Sequence, residues 1–249
     1  MLQIFMSEFL GTAVLLLLGG GVVANHLLPK SKGKGGGWLL INFGWGFAVF
    51  LGVYVAYSTG GHLNPAVTIA KVVANMFDPN VTLAGDIPVN AGNVAVYILA
   101  QFLGAFVGAV LCYLTYKKHF DEDCDPALKL GVFSTGPEIR SYGWNLFTEA
   151  IATAVLIIWI FVSGATENAN GLGALGVAIV IVSIGASLGG PTGYAINPAR
   201  DLGPRIAHAI LPIKGKGGSD WGYSWVPVVG PIIGAVIAVV LVYGTDIAV

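Results

Sequence analysis

The sequence predicts an all-α membrane protein with six transmembrane helices and two half-membrane helices arranged as an inverted repeat. Hydrophobic residues make up 55% of the 249 positions, charged residues make up only 10%, and the mean hydropathy is +0.79. Soluble domains carry about 25% charged residues. Apolar stretches of about 20 residues, the length that crosses a bilayer core, recur along the whole chain. The chain is therefore expected to cross the membrane several times.

Six segments of the sequence are apolar and long enough to span the bilayer. The first lacks the basic start of a cleavable signal peptide and contains Glu8, so we interpret it as a retained span. Because six is an even number, both termini are expected on the same side of the membrane. The predicted spans are residues 6–26, 38–57, 91–116, 143–163, 171–189 and 222–244.

The two halves of the sequence resemble each other at their beginnings and at their ends. Each half contains three spans, and an odd number of spans inserts the second copy upside down. We therefore expect a single domain over residues 1–249, composed of inverted repeats at approximately 1–120 and 140–249. The matching segments are residues 7–15 with 148–156 and residues 104–110 with 230–236.

Each half also contains one Asn-Pro-Ala triplet, Asn64-Pro65-Ala66 in the first and Asn197-Pro198-Ala199 in the second. Asn is a strong helix N-cap and Pro is favoured at the first helical position, so each triplet is expected to begin a helix. The stretches that follow, 65–76 and 198–210, are about half as long as the hydrocarbon core is thick. Pro204 is expected to disturb the second. Two half-helices that meet start to start imply a pore, because irregular backbone at that depth lines a watery cavity or is buried.

Glycine-rich segments precede both triplets and are expected to run extended, with carbonyl groups turned to the pore. Two helix N-termini, each worth about half a positive charge, point at the middle of the path and disfavour cations and protons. Anions would lose their hydration in a narrow apolar tube. These features predict a pore for small uncharged molecules. The residues expected to line it or its vestibule are Gly60, Gly61, His62, Leu63, Gly193, Ala195 and Ile196.

The remaining polar residues offer no pattern for catalysis. The four histidines are dispersed, and Cys112 and Cys124 have no CxxC spacing, so we expect no metal site and no cofactor. A net charge of -1 with scattered basic residues gives no footprint for nucleic acid. The sequence is therefore not expected to be an enzyme.

Residues 61–68 (GHLNPAVT) and 193–205 (GYAINPARDLGPR) resemble the two signatures of the major intrinsic protein (aquaporin) family. Asp201, Arg205 and Pro227 are similar to its glycerol-facilitator (aquaglyceroporin) subgroup, and the resemblance covers nearly the whole chain. It implies an aquaporin-like homotetramer of six-span subunits in the plasma membrane, each with its own pore and with cytoplasmic termini. It also implies glycerol, other small neutral solutes and water as the permeating molecules.

The family narrows its pore with a filter of four positions, and the resemblance places Trp45, Gly185, Tyr194 and Arg200 there. A Trp and a Tyr form an apolar corner for a carbon backbone, while Arg200 and nearby carbonyls bond hydroxyl groups. Gly185 is expected to leave room where a water-only pore places a bulky His. Tyr194 stands where the familiar glycerol filter has Phe. Trp45 lies 19 residues before Asn64, one fewer than the family pattern implies.

Glu8 and Glu149 are carboxylates at equivalent positions of the two repeats, inside predicted spans. Such groups are functional by default, and one interpretation makes them proton carriers. We favour a structural role, in which they accept N–H bonds from the loops before the triplets. Asp201 and Arg205, four residues apart on one helix, are expected to pair. His62 is open to two interpretations, a residue of the pore vestibule or a hydrogen-bonded core histidine.

The distribution of basic residues argues against the orientation that the family implies. With Arg200 and Arg205 set aside as membrane-embedded, nine Lys and Arg fall in the odd-numbered loops, and Lys71 alone falls on the other side. The positive-inside rule would make the odd loops cytoplasmic. We retain cytoplasmic termini, because the resemblance is extensive and passive permeation does not depend on direction.

Three functions remain open from the sequence. The first is a passive channel for glycerol, other small uncharged solutes and water that excludes ions and protons. The second is a channel mainly for water or another small neutral solute, such as urea, dihydroxyacetone or an undissociated small acid. The third is a proton-coupled secondary transporter, which would share the inverted repeats and the broken helices.

Overall fold

The computed structural model of the chain describes residues 1–165, 172–245 and 247, and its regular structure there is helical apart from one isolated bridge between Ala84 and Ile87. A single 3-10 turn, Tyr57–Thr59, follows the second helix. The helices are α1 (Leu2–Leu27), α2 (Gly37–Val55), α3 (Pro65–Phe77), α4 (Ala91–Thr115), α5 (Lys117–Phe120), α6 (Pro126–Phe133), α7 (Tyr142–Ala165), α8 (Gly173–Leu188), α9 (Pro198–Ile210) and α10 (Val226–Gly244).

Five of these helices, α1, α2, α4, α7 and α10, are long and apolar enough to cross a membrane. The fifth predicted span, 171–189, is shorter than expected. Its helix α8 has 16 residues, about 24 Å at 1.5 Å per residue against about 30 Å of hydrocarbon, and residue 171 lies outside the described part of the chain. The sixth predicted span, 222–244, starts before the helix does. Residues 221–225 form turns, and α10 begins at Val226, directly before Pro227.

The helices α3 and α9 are short and begin at the Pro of a triplet, with 13 residues each. The preceding Asn is extended in both cases, and its side-chain oxygen accepts the N–H of the triplet Ala. At 1.5 Å per residue each helix is about 20 Å long, so neither can cross the bilayer alone. Pro204 lies inside α9 without ending it.

The long helices pack as two similar pairs, α1 against α4 and α7 against α10. A Cβ added to Gly108 of α4 would lie 2.3 Å from the Ala13 carbonyl oxygen, and one added to Gly234 of α10 would lie 2.1 Å from the Ala150 carbonyl oxygen. Only glycine permits such close approach of two helix backbones. Both α3 and α9 contact α4 and α10, so each half-helix packs against one helix of each pair.

Candidate functional site

A cavity of about 370 Å³ is bounded by α1, α2, α3, α7, α8 and α9, by the loops that precede α3 and α9, and by the loop that follows α3. Its polar lining includes both triplet asparagines, Asn64 and Asn197, together with Arg200 and Lys71. Much of the remaining lining is aliphatic, so the cavity combines two chemically unlike surfaces. The large aliphatic residues are Leu15, Val49, Val53, Leu63, Val67, Leu83, Leu156, Ile160, Val177, Ile181 and Ile196.

The two triplets meet at this cavity through reciprocal hydrogen bonds. Asn64 Nδ2 donates to the Ile196 carbonyl oxygen at 2.8 Å, and Asn197 Nδ2 donates to the Leu63 carbonyl oxygen at 2.9 Å. Each Asn Oδ1 caps its own helix by accepting backbone N–H groups. A side-chain amide has two N–H donors, and the described residues use only one from each Asn. Each Asn therefore keeps one donor for a molecule in the cavity.

The loops before the triplets do not run extended, contrary to the prediction. Leu63 has a φ of 54° and Ile196 has a φ of 44°, both in the left-handed region that such residues rarely adopt. Five loop residues that line the cavity have carbonyl groups that receive no hydrogen bond from the described part of the chain. They are Gly60, Gly61, His62, Tyr194 and Ala195.

The first loop takes this shape around the buried carboxylate of Glu8. Glu8 accepts two consecutive backbone N–H groups, from His62 at 3.0 Å and from Leu63 at 2.8 Å. The Thr59 hydroxyl and the Gln101 amide each donate at 2.8 Å to the same carboxylate. Two neighbouring N–H groups point the same way only if the backbone departs from an extended strand, in which they alternate. The carboxylate thus gives a physical reason for the left-handed residue.

Glu149 holds the second loop in the same way. It accepts the Ala195 N–H at 3.0 Å and the Ile196 N–H at 2.8 Å, and the Thr192 hydroxyl donates to it at 2.7 Å. Glu8 and Glu149 are both fully buried, and neither is among the residues that line the cavity. Each carboxylate therefore holds its loop by accepting two consecutive backbone N–H groups.

Three of the four predicted filter residues lie together at the cavity. Trp45, Tyr194 and Arg200 all line it, and the Arg200 guanidinium carbon is 4.1 Å from the centre of the Trp45 ring. A guanidinium over an aromatic face is held by the quadrupole of the ring. The buried Nη1 atom of Arg200 has no hydrogen-bond partner among the described residues. The contact with Trp45 therefore positions the Arg200 guanidinium while its Nη1 donors remain available for hydrogen bonds.

Gly185, the fourth predicted filter residue, does not line the cavity. A Cβ added to it would lie 2.4 Å from Asn42 Oδ1 and 2.7 Å from Tyr194 Cζ. The space that the missing side chain leaves is occupied by those two residues. The structure thus corrects the expectation that Gly185 leaves open room in the pore, because the Tyr194 ring fills that room.

A family model described as Major intrinsic protein matches residues 1–243. The chain belongs to this family. A "Probable glycerol uptake facilitator protein" of Thermotoga maritima is 54% identical over 237 residues, which cover 95% of this chain and 96% of that protein. A "Glycerol uptake facilitator protein" of Streptococcus pneumoniae is 48% identical over 242 residues, which cover 97% of this chain and 98% of that protein.

A solved structure shares the fold. The X-ray structure of the aquaglyceroporin from Plasmodium falciparum matches with a TM-score of 0.83 and 33% identity, covering 98% of this chain and 96% of that one. The helical chain described above, with its five apolar spans and shorter apolar helices, therefore has the aquaporin fold. It is a multi-pass membrane protein.

In this aquaporin fold, Asp201 and Arg205 form an ion pair that is fully buried within α9, with 2.8 Å between Arg205 Nη2 and Asp201 Oδ1. Asp201 Oδ2 accepts the backbone N–H and the hydroxyl group of Thr135. Arg205 donates to the carbonyl oxygens of Thr135 and Ser219. The pair thereby ties α9 to the loops that follow α6 and α9, and it lies outside the cavity lining.

Lys71 is a cavity residue that was not among the predicted site residues. Its ammonium nitrogen lies 5.0 Å from the centre of the Phe161 ring, and its side chain lines the cavity. The spacing of Asn64, Val67 and Lys71 contained the signal, because positions i, i+3 and i+7 share one face of a helix. Lys71 therefore lies on the same face of α3 as Asn64, a relationship that the sequence alone contains.

His62 combines both of its interpretations. It lines the cavity, and its ring nitrogens lie 2.9 Å from the Leu83 carbonyl oxygen (Nε2) and 3.0 Å from Thr68 Oγ1 (Nδ1). Because a carbonyl oxygen only accepts, Nε2 carries the proton and Nδ1 accepts the Thr68 hydroxyl hydrogen. The ring therefore forms part of the wall with both nitrogens bonded.

Proposed function

We propose that the protein is a passive channel for glycerol, other small uncharged solutes and water that excludes ions and protons. This proposal rests on the presence of an apolar surface and a hydrogen-bonding surface in one cavity. The aliphatic residues with Trp45 and Tyr194 form an apolar surface, and Arg200, the two Asn amides and the unbonded loop carbonyls supply hydrogen-bonding groups. A polyol has a carbon backbone and a set of hydroxyl groups, so it matches both surfaces. The names of the Thermotoga and Streptococcus relatives point to the same solute.

The charges around the cavity support the exclusion of ions. Among the described lining residues the charged side chains, Arg200 and Lys71, are cationic, and none is a carboxylate. The N-termini of α3 and α9 add about half a positive charge each. A cation meets repulsion with no counter-charge, and an anion exchanges its hydration shell for few donors. As a member of this family the protein is a channel and not an enzyme.

A proton-coupled transporter is less compatible with the geometry. The carboxylates that would carry protons, Glu8 and Glu149, are not among the cavity-lining residues, and their oxygens are engaged by the donors of the loops. A carrier would have to release these bonds in every cycle. A channel uses the same bonds permanently.

We assign the filter to Trp45, Tyr194 and Arg200, with Gly185 behind Tyr194, and the centre of the pore to the two triplets. The chain is proposed to consist of inverted repeats at approximately 1–120 and 140–249. The near-equal pairs of N–H bonds at Glu8 and Glu149, 3.0 and 2.8 Å in each half, support this division.

We further propose a homotetramer in the plasma membrane with cytoplasmic termini. Large apolar side chains are exposed along the spans, for example Phe43, Phe47 and Leu51 on α2. Such a face requires lipid or a neighbouring subunit to cover it.

Labelling of Cys124 tests the orientation. Cys124 is partly exposed in the loop after α5, whereas Cys112 is buried, so a membrane-impermeant thiol reagent reports on a single position. We expect labelling in intact cells. Protection that ends only on lysis would place the odd loops inside and overturn the cytoplasmic termini.

Stopped-flow light scattering of proteoliposomes tests the transport function. In a glycerol gradient we expect fast re-swelling that rises linearly with concentration and does not respond to a proton gradient. Saturation at low concentration, or acceleration by a proton gradient, would indicate a transporter. Water flux without glycerol flux would favour the channel for water or another neutral solute.

A further inference from the structure

A small polar cluster lies behind the filter, outside the surface that lines the cavity. It consists of the side-chain amide of Asn42 on α2 and the hydroxyl group of Tyr194, which meet beside Gly185 of α8. A Cβ added to Gly185 would lie 2.4 Å from Asn42 Oδ1 and 2.8 Å from the Tyr194 hydroxyl oxygen. The two polar groups are therefore neighbours around one small space.

The polar atoms of this cluster are buried and unbonded. Asn42 Nδ2, Asn42 Oδ1 and the Tyr194 hydroxyl oxygen have no hydrogen-bond partner among the described residues. Buried polar side-chain atoms in folded proteins nearly always have a partner, either protein or ordered water. An amide donates and accepts, and so does a phenol hydroxyl, so each group can satisfy the other.

The ring of Tyr194 has an apolar slot of its own. A Cβ added to Gly189 would lie 2.4 Å from Tyr194 Cδ1, and the Trp38 ring meets the Tyr194 ring edge-on at 5.8 Å between centres. The Trp38 indole N–H donates to the Gly185 carbonyl oxygen at 2.9 Å, so its single donor is not available to the Tyr194 hydroxyl. Asn42 thus supplies the polar groups at the hydroxyl end of the slot.

We propose that Asn42 is a positioning residue of the filter: it binds the Tyr194 hydroxyl, directly or through one ordered water, and so keeps that hydroxyl away from the cavity. This inference rests on the proposed function as a polyol channel and adds a specificity-determining residue to it. Tyr194 lines the cavity while its hydroxyl is buried. The filter consequently presents an aromatic ring, as a Phe would, although the residue is a Tyr.

A pair of nearly isosteric variants tests the proposal. Asn42→Val removes all hydrogen bonding, whereas Asn42→Thr has the same shape and keeps a hydroxyl group. Without a partner, the Tyr194 hydroxyl is expected to turn to the water of the cavity and to narrow and polarise the filter. We expect Asn42→Val to lower the glycerol-to-water permeability ratio of proteoliposomes by at least about threefold, the effect of one lost hydrogen bond. Asn42→Thr should stay closer to the wild-type ratio.

The decisive comparison adds Tyr194→Phe. In that background there is no hydroxyl to displace, so the effect of Asn42→Val on the ratio is expected to disappear. An equal decrease in both backgrounds, or identical behaviour of the Val and Thr variants, would overturn the proposal. Ile41→Val, at the neighbouring buried position of α2, controls for lost packing alone. Absence of glycerol flux in the wild-type protein would refute the proposed function instead, so the two failures are distinguishable.

Discussion

Glu8→Gln replaces one carboxylate oxygen by an NH2 group at the brace of the first loop. Glu8 accepts four hydrogen bonds, from the N–H groups of His62 and Leu63, the Thr59 hydroxyl and the Gln101 amide. The hydroxyl can reverse and the Gln101 amide can flip, so both can adapt to a donor, but a backbone N–H cannot. One backbone N–H is bonded to each carboxylate oxygen. In either orientation of the new amide, therefore, one loop N–H loses its acceptor.

An orphaned buried N–H costs about 1–3 kcal/mol, and the remaining bonds lose their charge assistance. For a chain of this size we expect the Tm in detergent to fall by about 2–4 °C for each kcal/mol. Glycerol permeability should also fall, because the loop carbonyls at the cavity shift. Thermal unfolding followed by circular dichroism, together with stopped-flow measurements, gives both quantities.

The second half of the molecule supplies an internal repetition of this experiment. Glu149 bonds one backbone N–H with each oxygen, from Ala195 and from Ile196, so Glu149→Gln should lower the Tm by a similar amount. Glu138→Gln, on an exposed loop, is the matched control and should leave Tm and flux unchanged. An unaltered Tm in both buried variants would refute the bracing role. If both variants kept the wild-type Tm but lost proton-coupled uptake, Glu8 and Glu149 would be the proton carriers of a transporter.

Arg200→Ala should weaken solute discrimination and admit ions, measured as a conductance or an ion-sensitive dye response in proteoliposomes; unchanged selectivity would remove Arg200 from the filter. Gly185→Ala adds a methyl group 2.7 Å from Tyr194 Cζ, which should push the ring into the cavity and slow glycerol more than water, and an unchanged ratio would show that the ring has room to yield. Arg205→Met leaves the Asp201 carboxylate buried without its cation, which should cost about 3–5 kcal/mol and lower Tm and yield; a wild-type Tm would mean that other donors suffice.

The helices of this protein could be predicted from the sequence because their determinants are local. Apolar runs predicted the spans α1, α2, α4 and α7 to within four residues at either end, and the Asn-Pro pairs predicted the starts of α3 and α9. The start of α10 differs from its predicted position by as much as the start of α1 does, and it depends on Pro227 and the preceding turns. Composition detects the apolar run but not the residue at which the helix begins.

The shape of the cavity could not be predicted in the same way, because it depends on distant contacts. Leu63 is left-handed at a position where the Glu8 carboxylate, 55 residues earlier in the chain, fixes its N–H. The room beside Gly185 is filled by Tyr194, which approaches from another loop. Neither relationship is visible in a local pattern. Lys71 differs from these cases, since the helical spacing from Asn64 would have revealed it.

The two Asn residues of the triplets meet three demands that other helix caps cannot meet together. Asp, Ser or Thr would cap α3 and α9 about as well. Asp has no donor for the carbonyl of the opposite loop, and its charge would create a cation site where the helix N-termini now repel cations. Ser has one hydroxyl hydrogen, which cannot both bond the opposite loop and serve the cavity. Asn has an acceptor for the cap, one N–H for the opposite loop and one for the solute. Since each Asn bonds the loop of the other half, the proposed centre of the pore forms only when both halves have folded.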